Sequence, residues 1–409
     1  MIRSVPRLIR CGAAVLTFSV TASCSGDAER PPGAELRVDT TAGGSVHLQN
    51  PAEGLWSRSG APAWRLEEEL RIGQVEGSGP RVFGSVRNVI PDAVGRMWVL
   101  DSRALELRVF DATGTFLFGL GGPGDGPGEF AGGNVCAFPG PGGEIWVEDS
   151  RHRWHRFDST GAHLGTHPSG LRNRCFQRRW TSGGSFVTVD SRQDHATRTT
   201  TRSYVVHRMD DAGDLTPMDT LPPPELPPSR SVTWQRADGF QWVRTIPFTP
   251  LRRREVGPHG DVWIADAGDR YAIRRQTLRG DTVMIIEREY EPVRVPDSIW
   301  QQAIEDFPPD EMTALDDWNP RAVPRFYPPI EWFDIATDGT LWVRRRIEGA
   351  ALAFDVFDPE GKYLGQVDAP EEFDRMTVQS VTSDAMYTVF RDELDVPYVV
   401  RLGIRRGER

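Results

Sequence analysis

Met97-Trp98-Val99-Leu100-Asp101-Ser102 is a strand centred on an aromatic residue and closed by an acid, and the chain repeats it. It returns as Ile145-Trp146-Val147-Glu148-Asp149-Ser150, as Phe186-Val187-Thr188-Val189-Asp190-Ser191 and as Val262-Trp263-Ile264-Ala265-Asp266, with a fainter copy at Leu341-Trp342-Val343. Units that recur in this way cannot bury their apolar faces alone and must stack on their neighbours. Taking Trp98, Trp146, Val187, Trp263, Trp342 and Tyr387 as equivalent, the steps are 48, 41, 76, 79 and 45 residues. The short steps match one four-stranded unit of roughly 40 to 50 residues. The two long steps read as units carrying insertions. The first excess holds a proline-rich run (221–228) and a hairpin pattern (231–245). The second holds residues 297–306, whose Ile299, Trp300, Ala303 and Ile304 fall at helical spacing behind an Asp297-Ser298 cap.

Alternation and turn chemistry give the strands within a unit. In the first, residues 86–90, 96–100, 106–110 and 115–119 are strands, separated by turns such as Asp111-Ala112-Thr113-Gly114. That turn recurs at residues 158–161, 210–213 and 358–361. Its glycine supplies the positive φ that a side chain would penalise. Four antiparallel strands per unit, six units and no parallel crossover imply a radial all-β fold. The last unit offers only three strands, at 377–382, 386–390 and 398–404, while residues 64–72 lie upstream without a unit of their own. They are expected to supply the missing outer strand and so close the ring, because an open ring would leave unpaired edges.

The run Trp98 to Ser102, Leu107 to Asp111, Gly114 to Leu117 and Gly121-Gly122-Pro123-Gly124-Asp125-Gly126-Pro127-Gly128-Glu129-Phe130 resembles an NHL-type repeat. More particularly it is similar to bacterial six-bladed β-propeller lipoproteins of unassigned function, over about residues 64–404. The resemblance implies an all-β, six-bladed propeller of four-stranded antiparallel blades, to which the helical spacing noted above adds one short helical insertion at about 296–320. The chain departs from it where the sixth unit lacks both glycine turns and where the fifth has Arg345 in place of the recurring Asp.

The N-terminus carries an address. Arg3, Arg7 and Arg10 precede the apolar stretch 13–20 and then Thr21-Ala22-Ser23-Cys24. The apolar run is too short to span a bilayer and has the order of a secretory signal. Small residues before Cys24 resemble a lipobox, so residues 1–24 read as a signal whose Cys24 is lipidated. Thr21 departs from that motif, and ordinary cleavage near Ala22 or Ser23 is the other reading. Residues 25–60, rich in Gly, Ala, Ser, Pro and charge, read as a flexible tether, and residues 61–409 as one propeller. An acyl chain on such a tether would hold the domain at the cell envelope without inserting it. Cys136 and Cys175 sit at nearly equivalent places in neighbouring units. They form either a disulfide suited to an oxidising compartment or two buried thiols.

The net charge of −10 argues against a nucleic-acid partner. Lys362 is the only lysine and lies in a turn, which argues against Schiff-base chemistry. The recurring Asp101, Asp149, Asp190 and Asp266 read as acceptors of turn N–H groups rather than as a ring of metal ligands. The glycine-rich run 121–128 reads as an interblade linker, since no helix follows it. His152, His155, His163, His167, His195 and His259 lack paired ligand spacing and read as solvated turn or strand residues. No catalytic residue, metal or cofactor is expected.

Positions that break the repeat are the better functional candidates. Arg87, Asn88, Asn134, Arg174, Arg252, Arg253 and Arg254 fall at or just before inner strands. They read either as a positive funnel for an anionic ligand or as a rim paired with nearby carboxylates. The 297–319 insertion, with Trp300, Phe307 and Trp318, reads as a lid, a docking surface or an edge cover. The expectation is a monomeric, membrane-tethered binding module for an envelope protein, peptide or carbohydrate, with a metal-assisted lyase or hydrolase at the channel mouth as the alternative.

Overall fold

The computed structural model describes residues 35–169, 178–194, 199–211, 213–221, 230–250, 253–265, 268–316, 318–370, 373 and 380–407. Six sheets with a four-stranded antiparallel body follow one another along this chain, their strands in sequence order except that the last sheet takes its outer strand from the N-terminal side. The first comprises Val86–Pro91, Met97–Asp101, Glu106–Phe110 and Phe116–Gly121. The others begin at inner strands Cys136–Pro139, Arg179–Trp180, Arg254–Val256, Trp332–Ile335 and Ser380–Val381. Every copy of the repeated phrase occupies the second strand of its sheet.

Apolar residues between successive sheets show how the units close. Trp98 and Leu107 of the first meet Val135, Val147 and Phe157 of the second, and Trp146 and Trp154 of the second meet Phe186 of the third. Equivalent clusters join third to fourth, fourth to fifth and fifth to sixth. The last cluster returns to the start, packing Ala385, Val389 and Val399 on Val89, Val99 and Phe110. The result is a β-propeller, with each blade burying the face that its neighbour cannot.

Closure is as the sequence implies. Arg65–Ile72 pairs antiparallel with Pro397–Arg405, from Ile72 opposite Val399 to Arg65 opposite Arg405. Glu69 receives Arg401 at 2.8 Å, and Glu67 receives Arg405 at 2.9 Å.

The expectation of a flexible tether over 25–60 is corrected from residue 35 onward. Arg37–Thr40 and Val46–Asn50 form a hairpin, and the second of these strands pairs in parallel with the outer strand of the fourth blade, Thr282–Arg288. Buried Asn50 ends it, donating to the carbonyls of Glu287 and Gly361 and accepting from the Tyr363 amide at 2.8 Å. A short helix that the sequence did not suggest, α1 (Leu55–Ser59), then buries Trp56 on the fifth blade. The contact is too close for side chains: a Cβ on Gly365 would lie 2.3 Å from the Trp56 ring, and one on Gly54 would lie 2.5 Å from the Gly365 backbone. Residues 46–72 therefore pass along the outer edges of the fourth, fifth and sixth blades in turn.

The two insertions form one unit. The hairpin Ser231–Arg236 and Gln241–Thr245, from the first excess, gains Met312–Ala314 from the second as a third strand. Trp234, Phe307 and Trp318 seal its inner face, and α2 (Asp297–Glu305) packs beside it through Trp300. The expected Asp297-Ser298 cap is absent: Pro296 stands at the N-cap without a side-chain bond, and Asp297 pairs with Arg294 and Arg325 instead.

Asp101 and Asp149, two of the four recurring acids, act on the backbone. Asp101 accepts the amides of Gly84, Ser85 and Arg103, and Asp149 accepts those of Ala131, Arg151 and Arg153. Asp266 lies outside the described residues. The solvated reading of the histidines is corrected at His155, which is fully buried with Nε2 3.3 Å from Asp149 and Nδ1 3.2 Å from Thr166. His195 lies outside the described residues.

Burial holds His155 below the ordinary imidazole range, and burial does the same for His163 and His207. A lowered folded value means that the unfolded chain binds the proton more readily. The stability contributed by His155 is therefore complete above about pH 6.5 and is lost as pH falls through the folded value. Denaturant midpoints measured from pH 7.5 to 5 are expected to fall less steeply for His155→Gln than for the parent, and parallel curves would refute this.

Candidate functional site

In each blade the inner strand starts, and the second strand ends, on the same face of the ring. On that face the fourth and fifth blades bring charge together. Arg253 precedes the inner strand Arg254–Val256, Glu331 precedes Trp332–Ile335, and Arg344 and Arg346 end Leu341–Arg346. The pairing of Trp332 with Arg344 sets these side chains beside one another.

The Arg253 guanidinium lies over the Trp332 ring at 3.1 Å from its centroid and pairs with Glu255. Arg344 stands 5.7 Å from the same ring and 4.0 Å from Glu331, while Arg346 reaches Glu331 at 3.0 Å and stands 5.8 Å from the Tyr327 ring. Below them Trp332 Nε1 donates to Asp334 at 3.3 Å, and the other Asp334 oxygen is enclosed. Burial pushes the Asp334 carboxyl up to about 6, against the pull of Arg253 and Arg344. Buried Arg254 sits 5.6 Å from the Tyr204 ring, and burial raises that phenol to about 12.

The seven residues expected to line a funnel are divided by the structure. Arg253 belongs to the cluster just described, and Arg254 is buried behind it. Asn88 is also buried, where its Oδ1 accepts the Ala137 amide at 3.0 Å and ties the first inner strand to the second. Arg87 and Asn134 are half-buried on the first and second blades. Arg174 and Arg252 lie outside the described residues, as does Cys24. Cys136 is disulfide-bonded, and Cys175 lies outside the described residues.

Glu331, Trp332, Arg344 and Arg346 were missed. The signal was present, since Arg344-Arg345-Arg346 repeats the triplet Arg252-Arg253-Arg254 one blade later. Packing between blades brings Arg253 of the first triplet to Trp332, beside Arg344 and Arg346 of the second, and spacing along the chain does not reveal that. The odd member, Arg345, turns away into a separate buried cluster. It donates to Asp355 at 2.7 Å, and Asp355 also takes Arg288 at 3.2 Å and the Tyr363 hydroxyl at 3.0 Å.

Both insertions leave from outer strands, Leu215–Leu221 and Thr282–Arg288, and return next to the charged cluster. The first returns through Phe248 a few residues before Arg253, and the second through Tyr327 just before Glu331, with the two rings 5.5 Å apart. Charged groups of low exposure gathered where two insertions return, a site termed the pit, can hold an anionic group. A shallow polar groove of about 300 Å³ lies elsewhere, against the outer strand of the first blade near Ser78 and Arg108. Among the described residues no three His, Cys, Asp or Glu side chains gather as metal ligands. Nor is any described helix long and apolar enough to cross a membrane.

No family model matches the chain, and no curated protein matches it. Among solved structures it is similar to a Bacteroides fragilis protein described as exported, at 13% identity and TM-score 0.47, over 88% of this chain and 98% of that one. It is also similar to virginiamycin B lyase from Staphylococcus aureus, at 12% identity and TM-score 0.39, over 84% and 100%. A third likeness is to regucalcin, a calcium-binding protein of Agrobacterium tumefaciens, at 13% identity and TM-score 0.36, over 79% and 91%. No function is carried over from these three, and the propeller assignment rests on the strand order and the ring of apolar clusters.

Proposed function

We propose that the chain is an exported, lipid-tethered binding module of the cell envelope, and that it holds an anionic group of a peptide or carbohydrate at the pit formed by Arg253, Trp332, Arg344 and Arg346. The observation that carries this reading is the charge balance of that pit. Four guanidinium groups, those of Arg253, Arg344, Arg346 and, from the inner strand of the third blade, Arg179, act on Glu255, Glu331 and an Asp334 whose carboxyl is lifted to about 6. Arginine suits the role because its planar fork pairs with a carboxylate while its face stays on an aromatic ring. The N-terminal order of basic residues, apolar run and Cys24 supports the tether.

Titration calorimetry with acidic peptides and uronate sugars is the test. Arg253→Ala is expected to weaken binding of the preferred acidic ligand about tenfold, in keeping with roughly 1.5 kcal/mol for a charge-assisted hydrogen bond. Equal affinity in the variant would remove the pit from the site. Because Asp334 gains a proton as pH falls through about 6, the pit becomes more positive and anion affinity is expected to rise. Asp334→Asn should flatten that dependence, and an unchanged pH profile in the variant would exclude Asp334 as its source.

A further inference from the structure

The insertion sheet is covered on one side only. Trp234 and Val232 face inward on Phe307 and Trp318, whereas the row Val243, Thr233 and Leu315 lies on the opposite face, aligned by pairing across the three strands. Val243 is 61% exposed and Leu315 52%. On the outermost strand, Gln241–Thr245, Trp242 pairs with Trp234 and so projects from the other face at the free edge of the sheet, where it is 47% exposed, and the turn before it adds Phe240 at 53%. The Arg236 and Arg244 guanidinium groups lie over these two rings at 5.2 and 5.1 Å. Four large apolar side chains are thus left in water around one hairpin edge, on both faces of it, and such an edge marks a contact surface.

The position of the described N-terminus indicates what meets this surface. Arg37 lies opposite Gln49, and Gln49 lies opposite Glu287, one residue before the outer strand of the fourth blade ends. Two strand spacings, about 10 Å, thus separate the chain entry from the point where the second insertion departs. Ten residues join Cys24 to Glu35, a reach of about 35 Å or less. A lipid on Cys24 would keep the bilayer within that distance of the face from which the insertions leave.

We propose that the hairpin edge formed by Phe240, Trp242 and Val243, with Leu315 behind it, rests in the lipid–water interface of the membrane to which the chain is tethered. This rests on the lipid-anchored reading above. Aromatic rings flanked by arginines suit that zone, where the rings meet acyl chains and the guanidinium groups meet headgroups. The overall charge of −10 gives no general attraction to anionic lipid, so a phosphatidylcholine surface is expected to suffice.

The test uses the full chain with its N-terminal lipid, reconstituted in phosphatidylcholine vesicles whose acyl chains are brominated or not. Bromine quenches only tryptophans that reach the bilayer. The expected result is lower fluorescence in brominated vesicles, with at least half of the difference lost in Trp242→Phe. Equal fluorescence in both vesicles, or a difference untouched by Trp242→Phe, overturns the proposal. The tether reading fails separately if mass analysis finds no acyl group on Cys24. The same vesicles are then sedimented with the unlipidated chain. Loss of co-sedimentation in the folded triple variant Phe240→Ser, Trp242→Ser, Val243→Ser supports the surface, and its persistence overturns it. Lipid-free self-association abolished by that triple variant would assign the patch to a second copy and overturn the lipid assignment.

Discussion

A chain starting at Gly73 is expected to lose the sharp thermal transition of its parent. The truncation removes the strand Arg65–Ile72, leaving Pro397–Arg405 as an unpaired edge with its backbone donors and acceptors open along seven residue pairs. It also removes Ile72, Trp56 and Leu48, all buried, and the partly buried Leu66 and Leu70. At about 1.5 to 3 kcal/mol for each fully buried apolar side chain, the loss approaches the 5–15 kcal/mol that holds a typical domain together. A milder truncation starting at Ala61 keeps the closing strand and, among the described elements, loses the hairpin at 37–50 and α1. It is expected to melt cooperatively at a lower temperature. Circular dichroism melts of the two decide the matter: a Gly73 start that unfolds as sharply as the parent, at the same midpoint, would show that the ring does not depend on its N-terminal strand.

The second large effect is expected at Asp355. This carboxylate is fully buried and is the shared partner of Arg345, Arg288 and Tyr363. Removing it leaves two guanidinium groups enclosed without a counter-charge, a loss of about 3–5 kcal/mol in comparable buried pairs. Asp355→Ala should therefore lower the unfolding free energy by that amount in denaturant titrations. The double variant Arg345→Leu, Asp355→Leu should recover part of it, since apolar groups of similar size replace the broken pair. If Asp355→Ala stays within about 1 kcal/mol of the parent, the cluster is not a stabilising link between the fourth and fifth blades.

The Asp355 cluster also illustrates what could be read from the chain alone. Arg345 stood out as the residue that breaks the recurring acid. Its meaning came from Asp355 ten positions later and Arg288 one blade earlier, neither of which is marked by the repeat. Asn88 and Arg254 show the opposite case: both looked like channel residues because they sit at inner strands, and both are buried in contacts with neighbouring blades. His155 was misplaced for a related reason. Its position on a third strand was legible, but the shielding by Phe130 from the interblade linker was not.

By itself the sequence determined the all-β architecture, the unit boundaries, the second strand of every blade and the closing strand at 65–72. These follow from a period of alternation and from turns that need glycine, and both are local properties of the chain. Only the tertiary structure decided that residues 37–59 wrap the outer edges, that two insertions 80 residues apart share one sheet, and that Arg253 meets Glu331, Trp332 and Arg344 in one pit. Each of these depends on contacts between segments far apart in sequence. Such contacts leave no local period to read, because a short edge strand or a single arginine can meet many partners and only packing selects one.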